Sequence, residues 1–294
     1  MENLFRGLGV ALVTPFDKEG NVDYACLSEL IEFQLENGVN FFCALGSTAE
    51  TPCLTDEEKI KIKNFVVERV NGRVPILLGF GGNFTRQLVA DAQSFDFKGI
   101  DGLLSVCPFY NKPSQEGIYQ HYKVFAEAVS LPVIVYNIPG RTGVNIQPET
   151  LIRLANDVDN IVAVKEASGN IQQIDAILEN KPQAFEVISG DDPITYELIS
   201  MGGVGVISVI GNAFPDIFGR MVHLLQNNEV SEALKIHRKL FEFYKLLFVD
   251  GNPSGVKALL SIMGKIENKL RLPLVPVRKE TEERLAAVYH KLKV

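Results

Sequence analysis

Cysteine and histidine are scarce in this chain, with four of each among 294 residues. Their placement excludes the chemistry they most often carry. Cys26, Cys43, Cys53 and Cys107 match no zinc-ligand spacing, and His121, His223, His237 and His290 are scattered, with no pair at ligand separation. No metal site and no cofactor is expected. Cys43 and Cys107 lie in apolar runs and read as buried packing. Clusters of basic residues are missing too. With a net charge of −7, nucleic acid and anionic membrane surfaces are poor partners. No apolar run reaches the roughly 18 residues that a membrane span needs. The N-terminal stretch MENLFRGLGVALVTPF has a short apolar core, but Glu2 and Pro15 fit a secretory signal badly. A cytoplasmic location with reduced cysteines is therefore expected, and Asn83-Phe84-Thr85 is not read as a glycosylation site.

What the chain does have is a regular alternation. Short apolar runs recur, each closed by Gly, Pro, Asn or Ser: GVALVTP (9–15), NFFCALGS (40–47), PILLGFG (75–81), GLLSVC (102–107), PVIVYNIP (132–139), IVAVKEA (161–167), FEVISGD (185–191) and VGVISVIGN (204–212). These are continuously apolar rather than alternating, as in strands buried on both faces of a parallel sheet. Helical patterns fill the gaps. LSELIEFQLENG and LTDEEKIKIKNFVVERVNG each end at a glycine, and the second opens on Thr55 as an N-cap. Asn145 to Ala155 and Asp192 to Met201 behave similarly, with Pro193 suited to a first helical position. Strand–helix alternation of this kind predicts a (β/α)₈ barrel over residues 1–226. An open doubly wound sheet would want a glycine-rich dinucleotide turn after its first strand, and TPFDKEGN is not one.

After residue 226 the strands stop. Helical patterns over 229–248, 253–265 and 279–292 predict an all-helical extension spanning 227–294, with Lys291 and Lys293 closing the last helix.

In barrels of this type the reactive residues sit at the C-terminal strand ends. Reading those ends collects Ser47 and Thr48 after the second run, Tyr110 after the fourth, Tyr136 and Arg141 at and beyond the fifth, Lys165 ending the sixth, Gly190, Asp191 and Asp192 after the seventh, and Ile207 in the eighth. The set has an amine, phenols, hydroxyls and a guanidinium, but no histidine base, so a Ser-His-Asp triad is excluded. A lysine at a strand end points to carbonyl chemistry through a Schiff base, with a tyrosine nearby to pass protons. Each residue also has a plainer reading. Lys165 and Glu166 can form a rim ion pair, Tyr136 can be rim packing, Arg141 can pair with a surface acid, and Asp191 and Asp192 are read as helix caps before Pro193.

These motifs, from GVALVTPFDKEGNVD through GSTAET, CPFYNKPSQEGIYQHY, VYNIPGRTG, VAVKEASGN and ISGDD, resemble the dihydrodipicolinate synthase and N-acetylneuraminate lyase family of pyruvate-dependent aldolases. The likeness runs the length of the chain, and YNIPGRTG with KEASGN resembles the dihydrodipicolinate synthase branch. The resemblance implies condensation of pyruvate with L-aspartate 4-semialdehyde. In that scheme Lys165 forms the imine, and Tyr136 stands over it as proton donor and acceptor. Ser47 links Tyr136 to Tyr110 of a neighbouring subunit. Thr48 holds the pyruvate carboxylate, Arg141 holds the semialdehyde carboxylate, and Gly190 and Ile207 line the pyruvate pocket. A homotetramer of tight dimers is implied as well.

Two departures from the family pattern stand out. The usual G-T-T-G-E reads GSTAE. Ser47 keeps the hydroxyl, and Ala49 in place of a glycine implies a backbone with no need for positive φ. Some members also bind lysine at the tight-dimer interface through polar, often charged, side chains. The matching positions here hold Asp56, Lys59, Gln87 and Phe109, although Asn83 fits. Phe109 lacks a phenol, and Gln87 offers no charge to an ammonium. Feedback by lysine is therefore expected to be weak or absent. Steady-state rates titrated with lysine check this, and strong inhibition at sub-millimolar lysine would contradict it.

Overall fold

The computed structural model describes residues 4–292; Glu2 and Lys293 lie outside them. Eight strands run β1 (Gly7–Ala11), β2 (Phe41–Ala44), β3 (Ile76–Gly79), β4 (Gly102–Val106), β5 (Val133–Asn137), β6 (Ile161–Glu166), β7 (Glu186–Ser189) and β8 (Gly205–Ser208). They pair in parallel and in chain order, and β1 closes on β8. The expected (β/α)₈ barrel is therefore the observed fold. The helices between the strands are α1 (Tyr24–Glu36), α2 (Asp56–Val70), α3 (Thr85–Ser94), α4 (Gln115–Glu127), the single turn α5 (Pro139–Thr142), α6 (Pro148–Asp157), α7 (Ile171–Asn180) and α8 (Thr195–Ser200), with α9 (Pro215–Gln226) after β8. Among the described residues, no helix is long and apolar enough to cross a membrane.

Alternation along each strand explains the unbroken apolar runs. Inward residues such as Phe41, Leu104, Ile134, Ala163 and Ile188 fill the barrel's interior. Their neighbours Phe42, Leu103, Val135, Val164 and Val187 pack outward under the helices. Both faces are buried, so apolar residues predominate on each. Helix α2 starts on a reciprocal capping box in which Thr55 accepts from the Glu58 N–H and the Glu58 carboxylate accepts from the Thr55 N–H.

Two expected helices begin elsewhere. Helix α6 opens at Pro148, not Asn145, because Asn145 is spent on side-chain bonds to Asn137 and Gln173. The segment from Asp192 divides into a 3₁₀ turn, Asp192–Ile194, followed by α8. The capping reading of its two acids is corrected by the same geometry. Asp191 occupies the N-cap position but makes no capping bond. Asp192 instead accepts from the N–H groups of Val209 and Ile210, at 3.0 and 2.7 Å, and so braces the turn after β8. Burial pushes its carboxyl up to about 6.

Beyond α9 the chain continues as α10 (Val230–Leu246), α11 (Ser254–Ile262) and α12 (Lys279–Leu292). These helices join the barrel through a shared apolar seam. The Phe243 ring of α10 meets the Phe214 ring edge-on at 4.9 Å, and Tyr289 of α12 stacks on Phe214 at 6.3 Å. Phe243→Ala should cost about 3–5 kcal/mol, the usual range for losing a buried ring. Barrel and extension should then melt together at a lower temperature. Calorimetry checks this: an unchanged midpoint, or a separately melting tail, would show that the seam carries little.

Candidate active site

The alternation that fills the barrel also decides which way the sixth strand's polar end points. Ala163 faces inward and Val164 outward, so Lys165 faces inward and Glu166 outward. Glu166 is fully buried. Its carboxylate accepts from Ser168 N–H at 2.7 Å, from Asn137 Nδ2 at 3.0 Å and from Gln173 Nε2 at 3.3 Å. Burial raises its carboxyl above the usual range, and these donors oppose the rise. The rim ion pair between Lys165 and Glu166 therefore does not form.

Lys165 is 6% exposed. Tyr136 stands directly beside it in the β5–β6 register, and the Lys165 Nζ lies 4.3 Å from the Tyr136 ring centroid. Among the described residues no carboxylate pairs with this amine. It lines a narrow pocket at the barrel mouth together with Ala11, Cys43, Gly46, Ser47, Thr48, Tyr136, Ile138, Arg141, Gly190, Val209, Phe248 and Asn252. Gly190 makes room for the lysine stem, since a Cβ there would lie 2.9 Å from both Cγ and Cε of Lys165. Cys43 forms a neutral wall, its thiol pushed up to about 11 by burial, with Lys165 pulling the other way. It is not a competing nucleophile.

The Ser47–Ala49 turn follows β2 as a single 3₁₀ turn. Positive φ in this loop falls on Leu45 and Glu50, not on Ala49, which is why alanine is accepted where a glycine is usual. The loop folds close over β3, and a Cβ on Gly79 would lie 2.1 Å from the Leu45 carbonyl oxygen. Ser47 is partly buried and Thr48 buried. The Thr48 hydroxyl accepts from Asn252 Nδ2 at 3.0 Å.

Arg141 sits on α5, exposed but at the pocket wall. Its Nη2 donates to the Asn252 carbonyl at 3.2 Å, so its partner is a backbone oxygen and not a surface acid. Asn252 thus touches the two candidates for holding substrate carboxylates, Thr48 and Arg141, and is itself a site residue that the sequence does not reveal. Asn252 stands just before the helical pattern at 253–265, and nothing local marks its side chain as part of a pocket. Phe248, also at the wall, lies within the helical pattern of 229–248.

Two candidates stand apart from this pocket within one chain. Ile207 is buried in the inner cluster with Tyr136, while Val209 takes the place at the wall. Tyr110 is 89% exposed with φ of 71°. Next to it Phe109 is half-exposed, its carbonyl accepting from Asn83 Nδ2 at 3.2 Å. Among the described residues no hydrogen bond joins Ser47 to Tyr136 or Tyr110. Of the effector positions, Asp56 pairs with Lys59 at 2.9 Å in a separate cleft between α2 and α3, and Gln87 donates to Asp91 at 2.7 Å.

The comparisons with known proteins agree with the barrel fold. The model of the Dihydrodipicolinate synthetase family matches residues 4–292. The 4-hydroxy-tetrahydrodipicolinate synthase of Phocaeicola vulgatus is 58% identical over 294 residues, covering 100% of this chain and 99% of that protein. The crystal structure of dihydrodipicolinate synthase from Thermotoga maritima superposes with a TM-score of 0.96 at 42% identity, covering 99% of each chain. The chloride-inhibited dihydrodipicolinate synthase from Acinetobacter baumannii, complexed with pyruvate, gives a TM-score of 0.95 at 37% identity over 98% of this chain and 99% of that one. The chain belongs to the dihydrodipicolinate synthetase family.

Proposed function

We propose that this chain condenses pyruvate with L-aspartate 4-semialdehyde to 4-hydroxy-tetrahydrodipicolinate, in the cytoplasm, on the route to diaminopimelate and lysine. The observation that carries the reading is the Lys165 amine, buried in the mouth of the barrel against the Tyr136 ring, with no carboxylate to pair with among the described residues. Such an amine serves as a nucleophile rather than as a structural charge.

Lys165 Nζ adds to the keto carbon of pyruvate and water leaves, giving an imine. Loss of a methyl proton converts it to an enamine, whose carbon attacks the aldehyde. Tyr136 passes the protons at each stage. Ring closure by the semialdehyde's own amino group at the imine carbon releases Lys165. Thr48 binds the pyruvate carboxylate through its backbone N–H, and Gly190 and Ile207 shape the space for the keto acid. Arg141 binds the carboxylate of the second substrate, for which a guanidinium fork is well suited. That residue favours a short carboxylated aldehyde over the sugar aldehydes of sister lyases. A keto-acid sensor would need no amine nucleophile.

A homotetramer built of tight dimers completes the reading. Tyr110, Phe109 and Phe84 are exposed aromatic side chains, at 89%, 40% and 62%. A partner subunit would cover them and receive the Tyr110 hydroxyl next to Ser47, closing the proton relay.

Borohydride reduction in the presence of pyruvate tests the reading. The expected result is a single reduced pyruvate adduct mapping to Lys165, with turnover then found for aspartate semialdehyde in a screen of aldehydes. No adduct, or an adduct on another lysine, would overturn it.

A further inference from the structure

Outside the pocket, Glu50 and Lys257 form an ion pair in which both side chains are 0% exposed. Taking two charges out of water is costly, and a well-packed apolar pair would often be as stable or more so. The location of the pair points to a different purpose. Glu50 directly follows the Ser47–Ala49 turn and is held at φ of 57°, a left-handed conformation that a residue with a side chain rarely adopts. Both carboxylate oxygens are engaged from the extension, one by Lys257 Nζ at 2.5 Å and the other by the Arg271 N–H at 3.0 Å.

Lys257 is fixed in its turn. Its Nζ donates to the Lys269 carbonyl at 2.9 Å and lies 4.1 Å over the Phe16 ring. Arg271 lies over the same ring at 4.5 Å and holds the Glu58 carboxylate with two bonds of 2.6 Å. Burial pushes the Lys257 amine down to about 8, and Glu50 pulls it back up. On the other side of the turn, Asn252 at the approach to α11 donates to the Thr48 hydroxyl. The extension therefore grips the Ser47–Ala49 turn twice, at Thr48 through Asn252 and at Glu50 through Lys257.

We propose that Glu50 and Lys257 are positioning residues for the condensation: the buried pair fixes the turn that presents the Thr48 backbone N–H, and thereby sets the affinity for the keto-acid carboxylate without touching substrate. This rests on the functional reading above, in which Thr48 binds pyruvate. Glu50 holds the strained end of the turn, and Lys257 anchors Glu50 to α11, the helix that follows the site residue Asn252.

The test uses the full-length protein and the variants Lys257→Met, Glu50→Gln and the two combined. The readouts are the KM for pyruvate, the KM for the semialdehyde, kcat, and circular dichroism to check folding. Each single variant should raise the pyruvate KM roughly ten- to a hundredfold, the scale expected of a small misplacement at a distance from the chemistry, while kcat stays within about threefold. The double variant should bind pyruvate better than Lys257→Met, because no lone carboxylate remains buried. Folded single variants with unchanged pyruvate KM would overturn the proposal. So would equal losses in kcat and in affinity for both substrates. Should Lys257→Met fail to fold, the near-isosteric Glu50→Gln decides by the same criteria. If none of the three folds, the pair serves stability and the proposal is overturned. A wild-type chain that forms no pyruvate adduct would instead overturn the functional reading, whereas an active wild type with unchanged variants overturns only the positioning role.

Discussion

Two adjacent residues on one strand cannot face the same way, and the candidate site depends on that constraint. Lys165 and Glu166 are opposite charges side by side in the chain, yet the pleat of β6 sends the amine into the barrel and the carboxylate outward beneath the helices. Glu166 is satisfied there by Asn137, Ser168 and Gln173. Lys165 is left with no carboxylate partner among the described residues, facing the Tyr136 ring. An amine without a carboxylate partner is free to act as the nucleophile of the proposed reaction.

The remaining features of the mouth surround that amine. Gly190 leaves space for its stem. Tyr136 sits beside it because β5 and β6 pair in register. The loop after β2 brings Thr48 over the pocket, and Asp192 ties down the turn after β8 through the N–H groups of Val209 and Ile210. The extension also belongs to this arrangement. It contributes Asn252 and Phe248 to the pocket wall, and its helices share Phe214 with the barrel.

Much of this was legible in the sequence, for physical reasons. Strands buried on both faces must be continuously apolar, so VAV before Lys165 and VIV before Tyr136 marked β6 and β5. Reading their ends as the barrel mouth brought Tyr136, Arg141, Thr48 and Lys165 together. Helix starts were legible where a local cap exists, as at Thr55, and illegible where a side chain is committed to a distant partner, as at Asn145. Asp192 was misread for the same reason: its bonds reach across to the end of β8, while a helix cap is a local pattern. Asn252 and the Glu50–Lys257 pair left no local trace either. Each joins residues some 200 positions apart, and no periodicity or spacing encodes such a contact.

The central claim is that the Lys165 amine bonds covalently to the keto acid. The most direct measurement is the steady-state condensation rate of Lys165→Arg. Arginine keeps a positive charge and much of the length, but it stays protonated and forms no imine with a ketone under these conditions. The account predicts that turnover falls by roughly a thousandfold or more while the circular dichroism spectrum is retained. Condensation at the wild-type rate in that variant would contradict it.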